Sequence, residues 1–162
     1  MAVKEGEVLG YREGTNLQDS FDGLQLDHIP SKQAIKEAYV SVKTELDTVS
    51  QIDEETRLNI DKETTTLART KESHAQSDTT GSRNKSLAVI DSNVLALASV
   101  RDLEKYERIE LDRGVLSPSE ISTAVDNVHT RNIDLGLYSQ REVDIATEFV
   151  EELSQIDIRN NK

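Results

Sequence analysis

The chain has no cysteine and no tryptophan, only two prolines, and four tyrosines and two phenylalanines as its aromatic residues. Without cysteine it forms no disulfide and offers no thiolate as nucleophile or metal ligand, which suits a reducing cytosol. Apolar residues make up 35%, below the roughly 45–50% usual for globular chains, a range that also counts glycine. A thick core is therefore not expected, and thin layers of helices are. No uncharged apolar run approaches the ~20 residues that span a bilayer. The first residues, Met1-Ala2-Val3-Lys4-Glu5-Gly6-Glu7, lack the apolar stretch of a secretory signal. These absences predict an intracellular, cytoplasmic protein whose sequon Asn84-Lys85-Ser86 meets no glycosylation enzyme. Positive charge is also scarce. Nineteen Lys and Arg face 31 Asp and Glu, for a net charge of −12. Such a chain repels phosphate backbones and anionic bilayers, so the expected partners are proteins, not nucleic acid or membrane.

What is present is periodicity. From Ser31 to about Lys71 there is no Gly or Pro, and apolar residues recur every three or four positions through Ile35, Tyr39, Val42, Leu46, Val49 and Ile52, then at Ile60 and Leu67. With Tyr39 at heptad position a, the a series is Tyr39, Leu46, Asp53, Ile60 and Leu67; Ile35, Val42 and Val49 open the d series. That pattern predicts one amphipathic helix of about 60 Å, capped by Ser31, with a seam for lengthwise packing. The seam weakens at Asp53, Thr56 and Glu63, and Thr64-Thr65-Thr66 is a poor helix-forming run.

Residues 1–30 differ. They hold Gly6, Gly10, Gly14 and Gly23, two basic residues and six acidic ones. Glycine costs about 1 kcal/mol per helix-interior position, so a non-helical extended arm is expected, with Leu24-Gln25-Leu26 alternating like a short strand. Glu7, Arg12 and Glu13 exclude reading Gly6-x3-Gly10-x3-Gly14 as a membrane-helix packing motif. Leu17, Phe21, Leu24, Leu26 and Ile29 are the candidate anchors of this arm on a partner or on its own bundle. A solvated tail is the alternative.

Residues 73–86 read as a flexible loop, with Gly81 at its turn and His74 as an exposed histidine. A second helix, about Leu87 to Arg113, carries Leu87, Ile90, Val94, Leu97, Val100, Leu103 and Tyr106 as a broad stripe. Gly114 then ends it, and Ser117-Pro118-Ser119-Glu120 forms a capping box with Pro at the first helical position, so a third helix folds back. Its stripe is Ile121, Val125, Val128 and Leu135, interrupted by Asn132. After Gly136, Ser139 and Glu142 cap a fourth helix that sets Val143, Ala146, Val150 and Leu153 on one face, broadened by Phe149 and Ile156. The fold expected is all-α: an elongated, coiled-coil-like bundle with one long helix (31–72) and a non-helical N-terminal arm (1–30). Residues 87–162 add a helical hairpin and C-terminal helix, in one domain with the long helix. The polar seam positions Asp53, Glu63 and Asn132 set register if buried; more often such residues face solvent.

Chemistry is thin in this sequence. His28, His74 and His129 lie far apart, and Asp126-x-x-His129 has no matching pair on another helix. Asp19-Ser20-Phe21-Asp22-Gly23 lacks calcium-loop spacing, and no phosphate-binding loop or nucleophile elbow occurs. No catalytic, metal-binding or cofactor-binding residue is assigned, and no small-molecule substrate is expected. The candidate interaction residues are the seam, Ile35, Tyr39, Val42, Leu46, Val49, Ile60 and Leu67, and the arm anchors. The hairpin Leu111-Asp112-Arg113-Gly114-Val115-Leu116-Ser117-Pro118-Ser119-Glu120 resembles helix–turn–helix joints of small helical head, connector and decoration proteins of tailed phages. That resemblance implies a virion component. The function expected is a non-enzymatic structural or assembly protein, homo-oligomeric or part of a larger assembly. The alternative is an acidic adaptor or assembly chaperone that binds a protein transiently. A helical-bundle enzyme or metal carrier is the weaker rival, since the ligand pairs it needs are missing.

Overall fold

A computed structural model of the chain describes residues 2–18, 22–47, 54–77 and 94–160. The architecture is mixed α/β, which corrects the all-α expectation. A three-stranded antiparallel sheet of β1 (Val8–Gly10), β2 (Leu24–His28) and β3 (Thr65–Thr70) has β3 at its centre. Around it lie α1 (Tyr11–Leu17), α2 (Lys32–Asp47), α3 (Glu54–Glu63), α4 (Lys71–Ala75), α5 (Leu95–Arg113), α6 (Pro118–Asp134) and α7 (Gln140–Asn160).

β3 explains the correction. Thr64, Thr65 and Thr66 are β-branched and lose side-chain freedom against a helical turn; Thr64 forms the bend that ends α3, and the pleated sheet accommodates Thr65 and Thr66. Val8 pairs with Leu67 on one side, and Asp27 pairs with Leu67 on the other. Leu67 and Ala68, adjacent in sequence, point to opposite faces of the sheet as strand geometry requires. Leu67 enters a core with Ile29, Leu103, Tyr106, Ile121, Ala124 and Val128, while Ala68 joins Val3 and Leu9, with Leu24 and Leu26 packed against them. Because both faces are covered, the strand is buried from Thr65 to Arg69 and shows no polar alternation. Leu67 thus belongs to a strand and not to a helical seam. The predicted long helix is instead α2 and α3, with residues 48–53, including Val49 and Asp53, outside the described part. Lys36 Nζ lies 2.8 Å and Lys32 Nζ 3.5 Å from Asp61 Oδ1, which ties α2 to α3. Burial favours the protonated form of Asp61, but the Lys36 hydrogen bond and charge outweigh it and hold this carboxyl below its usual range.

Nor is the N-terminal region a non-helical arm. It supplies two strands and α1, and that helix tolerates Gly14 for a steric reason. A Cβ at Gly14 would lie 2.8 Å from Leu26 Cδ1, so glycine lets α1 approach β2.

The expected caps are present. Ser31 Oγ accepts from Ala34 N at 3.2 Å. Ser117 and Glu120 form a reciprocal capping box with Pro118 beside it, and Gly114 ends α5 at φ +65°. Ser139 and Glu142 bond reciprocally at the start of α7. Residues 78–93, which hold most of the expected loop and the predicted start of the second helix, lie outside the described part.

Candidate functional site

One cluster of charged and polar side chains lies in the interior. Arg69, on the same face of β3 as Leu67, is only 2% exposed and donates from Nη1 to Asp27 Oδ2 at 2.6 Å. Its Nε donates to Ser73 Oγ and its Nη2 to Ser73 O, both at 3.0 Å, and its guanidinium lies 5.2 Å from the Tyr106 ring centre. Ser73 Oγ donates in turn to Glu110 Oε1, and Arg113 Nη1 donates to both Glu110 and Glu5. His74 Nε2 is 3.3 Å from Asp27 Oδ1, so this histidine is engaged on α4 and not exposed on a loop.

Serine, histidine and carboxylates this close suggest nucleophilic catalysis, but the arrangement does not support it. Ser73 and Glu110 are both fully buried, and the Ser73 hydroxyl hydrogen is committed to a carboxylate rather than to a histidine. The network joins β2, β3, α4, α5 and the N-terminal segment. It also raises the Tyr106 phenol pKa well above normal, through burial first and the Glu110 charge second. These bonds tie the elements to one another.

A second polar cluster sets the position of α7. Asn132, fully buried, donates from Nδ2 to Ile29 O at 2.9 Å and to Tyr138 Oη at 2.8 Å, and His129 Nδ1 lies 3.1 Å from the same hydroxyl. Asn132 therefore does not face solvent; it pins the turn between α6 and α7, where Gly136 takes φ +76°. Burial pushes the Tyr138 phenol up and the His129 imidazole down. His129 is thus held by tyrosine. Among the described residues no group of three or more His, Cys, Asp or Glu side chains is placed to hold a metal.

The outward chemistry lies on α7. Val143 and Ala146 are buried, and with Val150 they pack on Ala96, Leu97 and Val100 of α5. The neighbouring stripe is only half covered: Ile145, Phe149, Leu153 and Ile156 are each 47–56% exposed. Their spacing of four, four and three residues places them in one row along the helix. Beside the row, Val94, Leu95, Leu97, Leu137, Tyr138, Ala146 and Phe149 border a groove of about 480 Å³. The outer flank carries exposed Asp144, Glu148, Glu151 and Glu152, with Arg141 and Arg159 towards the two ends. Among the described residues no cation pairs with Glu148, Glu151 or Glu152.

The residues singled out from sequence do not assemble into one surface. Ile35 is buried at the start of α2, Tyr39 is 40% exposed, Ile60 is half-buried on α3 and Leu67 is in the sheet. The side chains of Val42 and Leu46, and all of Val49 and Phe21, lie outside the described part. Of the arm anchors, Ile29 is in the main core, Leu24 and Leu26 pack on the sheet's other face, and Leu17 is exposed on α1. The described anchors other than Leu17 are thus spent on this chain's own fold. Phe149, Leu153 and Ile156 belonged to a helix face already visible in the sequence. Ile145 was missed, although its spacing of four from Phe149 was there to be read.

Among the described residues no helix is long and apolar enough to cross a membrane. Comparison with protein-family models, with curated proteins and with solved structures gave no match to this chain.

Proposed function

We propose that this chain is a non-catalytic protein-interaction module that joins a larger assembly through the exposed face of α7. The observation that carries this reading is the row Ile145, Phe149, Leu153 and Ile156 beside an apolar groove. Single exposed apolar residues need no explanation, but a stripe running from Ile145 to Ile156 along one helix face is what a docking surface requires. Burial of the polar networks supports the non-catalytic part, because their reactive groups are turned inward and bonded to one another.

The test is to replace Ile145 and Phe149 by serine and follow urea unfolding. A free docking face predicts stability within about 1 kcal/mol of the parent, because little packing is lost. An apolar dye that fluoresces on the parent should lose its signal on I145S/F149S. A loss of about 3 kcal/mol or more would mean that the two side chains pack within their own chain, and the reading would be wrong.

A further inference from the structure

We infer that the occupant of the α7 face is a basic amphipathic helix of another protein: an apolar stripe to fill the groove, flanked by Lys or Arg. This rests on the reading of α7 as a docking face and identifies what docks there.

Charge decides between the candidate occupants. At 100° per residue, Arg141, Glu148, Glu152 and Arg159 fall in one row beside the apolar stripe, with both carboxylates central and both cations distal. All four are exposed. A second copy laid antiparallel in the groove would match Ile145 with Ile156 and Phe149 with Leu153. It would also set Glu148 against Glu152 and Arg141 against Arg159, like against like. Two chains that each carry a net charge of −12 repel in any case. Self-pairing is therefore disfavoured by the same row that favours a cationic helix. With lysines opposite Glu148 and Glu152 such a helix gains two rim ion pairs, while its apolar face covers Phe149 and Leu153. Asp144 and Glu151 extend the negative field behind this row and steer the approach of a cationic partner.

The probe is a pair of synthetic 21-residue amphipathic helices with the same leucine stripe, one flanked by lysines and the other by glutamates. Binding to the full chain is followed by fluorescence anisotropy at low and at physiological salt. The lysine-flanked helix should bind about tenfold or more tightly than its counterpart. E148K/E152K should reverse that preference, and I145S/F149S should abolish binding of both. Equal binding of the two helices would overturn the inference while leaving α7 a docking face. So would a doubled scattering mass of the free chain, which would make a second copy the occupant. Lysine-helix binding that survives I145S/F149S would show attraction to general acidity, and the inference would again fall. No binding of either helix also overturns it. If I145S/F149S then unfolds the chain as well, the docking reading falls with it.

Discussion

Arg69 shows how a single residue can be costly to bury and still hold a fold together. Its guanidinium has lost its water and meets Asp27, Ser73 and the face of Tyr106 instead. Asp27→Asn leaves that cation without its countercharge, and the expected loss is about 3–5 kcal/mol of unfolding free energy. Urea titration checks this, and a loss under about 1 kcal/mol would mean that the pair contributes little. The double replacement D27L/R69M removes both charges and should recover part of the loss, since apolar substitutes for a buried pair are often tolerated. His28 carries a separate, pH-dependent term. Burial first and Lys32 second push its pKa down from 6.5 to about 4. The unfolded chain therefore takes up the proton first as acid is added. Stability is fully present above pH ~6.5 and falls as the pH drops from there to about 4, by up to about 3 kcal/mol from this group. His129, shifted the same way, adds to the slope. The His28 ring centre lies 4.7 Å from that of Tyr11, so H28F keeps a ring there and should flatten most of the decline; an unchanged profile would show that His28 is not its source.

At the scale of elements, helix ends were legible and the central strand was not. Ser117-Pro118-Ser119-Glu120 and Ser139–Glu142 satisfy their own backbone groups locally, so four residues suffice to place a helix start. β3 is stabilised by partners about 40 and 60 residues distant in sequence, β2 and β1, and its two-sided burial removes the alternation that announces a strand. The threonine run was a local sign of strand, but Ile60 and Leu67 sit seven apart and complete a helical heptad by coincidence. Glycine misled in the same way. Gly14 costs helix propensity, yet it buys the approach of α1 to Leu26. Replacing an exposed helical glycine by alanine usually gains up to about 1 kcal/mol. Here G14A should instead lower the melting temperature, because its methyl group overlaps the Leu26 side chain. L26V, by shortening that side chain, should make the second substitution cheaper than the two single effects summed. A stabilised G14A protein, or strict additivity, would show that this contact is loose.

At the scale of the molecule, an inward set of polar groups binds the layers together, while Glu148, Glu151 and Glu152 on the outside of α7 have no cation paired with them among the described residues. The sequence displayed most of the apolar residues of α7, but periodicity alone does not say which half of a wide stripe the rest of the chain covers. Only the position of α5, pinned through Ala96 and Val100, assigns Val143, Ala146 and Val150 to the core and leaves Phe149 and Leu153 outside. The charge row beside them then makes a prediction about the chain's own association. In the parent, antiparallel pairing of two α7 faces opposes Glu148 to Glu152 at both symmetry-related positions, and the chain should remain monomeric by light scattering. E148K converts both repulsions into attractions without touching the apolar stripe. That single substitution should produce a dimer whose population rises with protein concentration and falls with salt, since exposed pairs are screened. I145S/F149S placed in the E148K background should return it to a monomer. If E148K stays monomeric while the parent binds a lysine-flanked helix, the groove accepts only a helix unattached to a folded domain, and steric shape rather than rim charge would be what excludes a second copy.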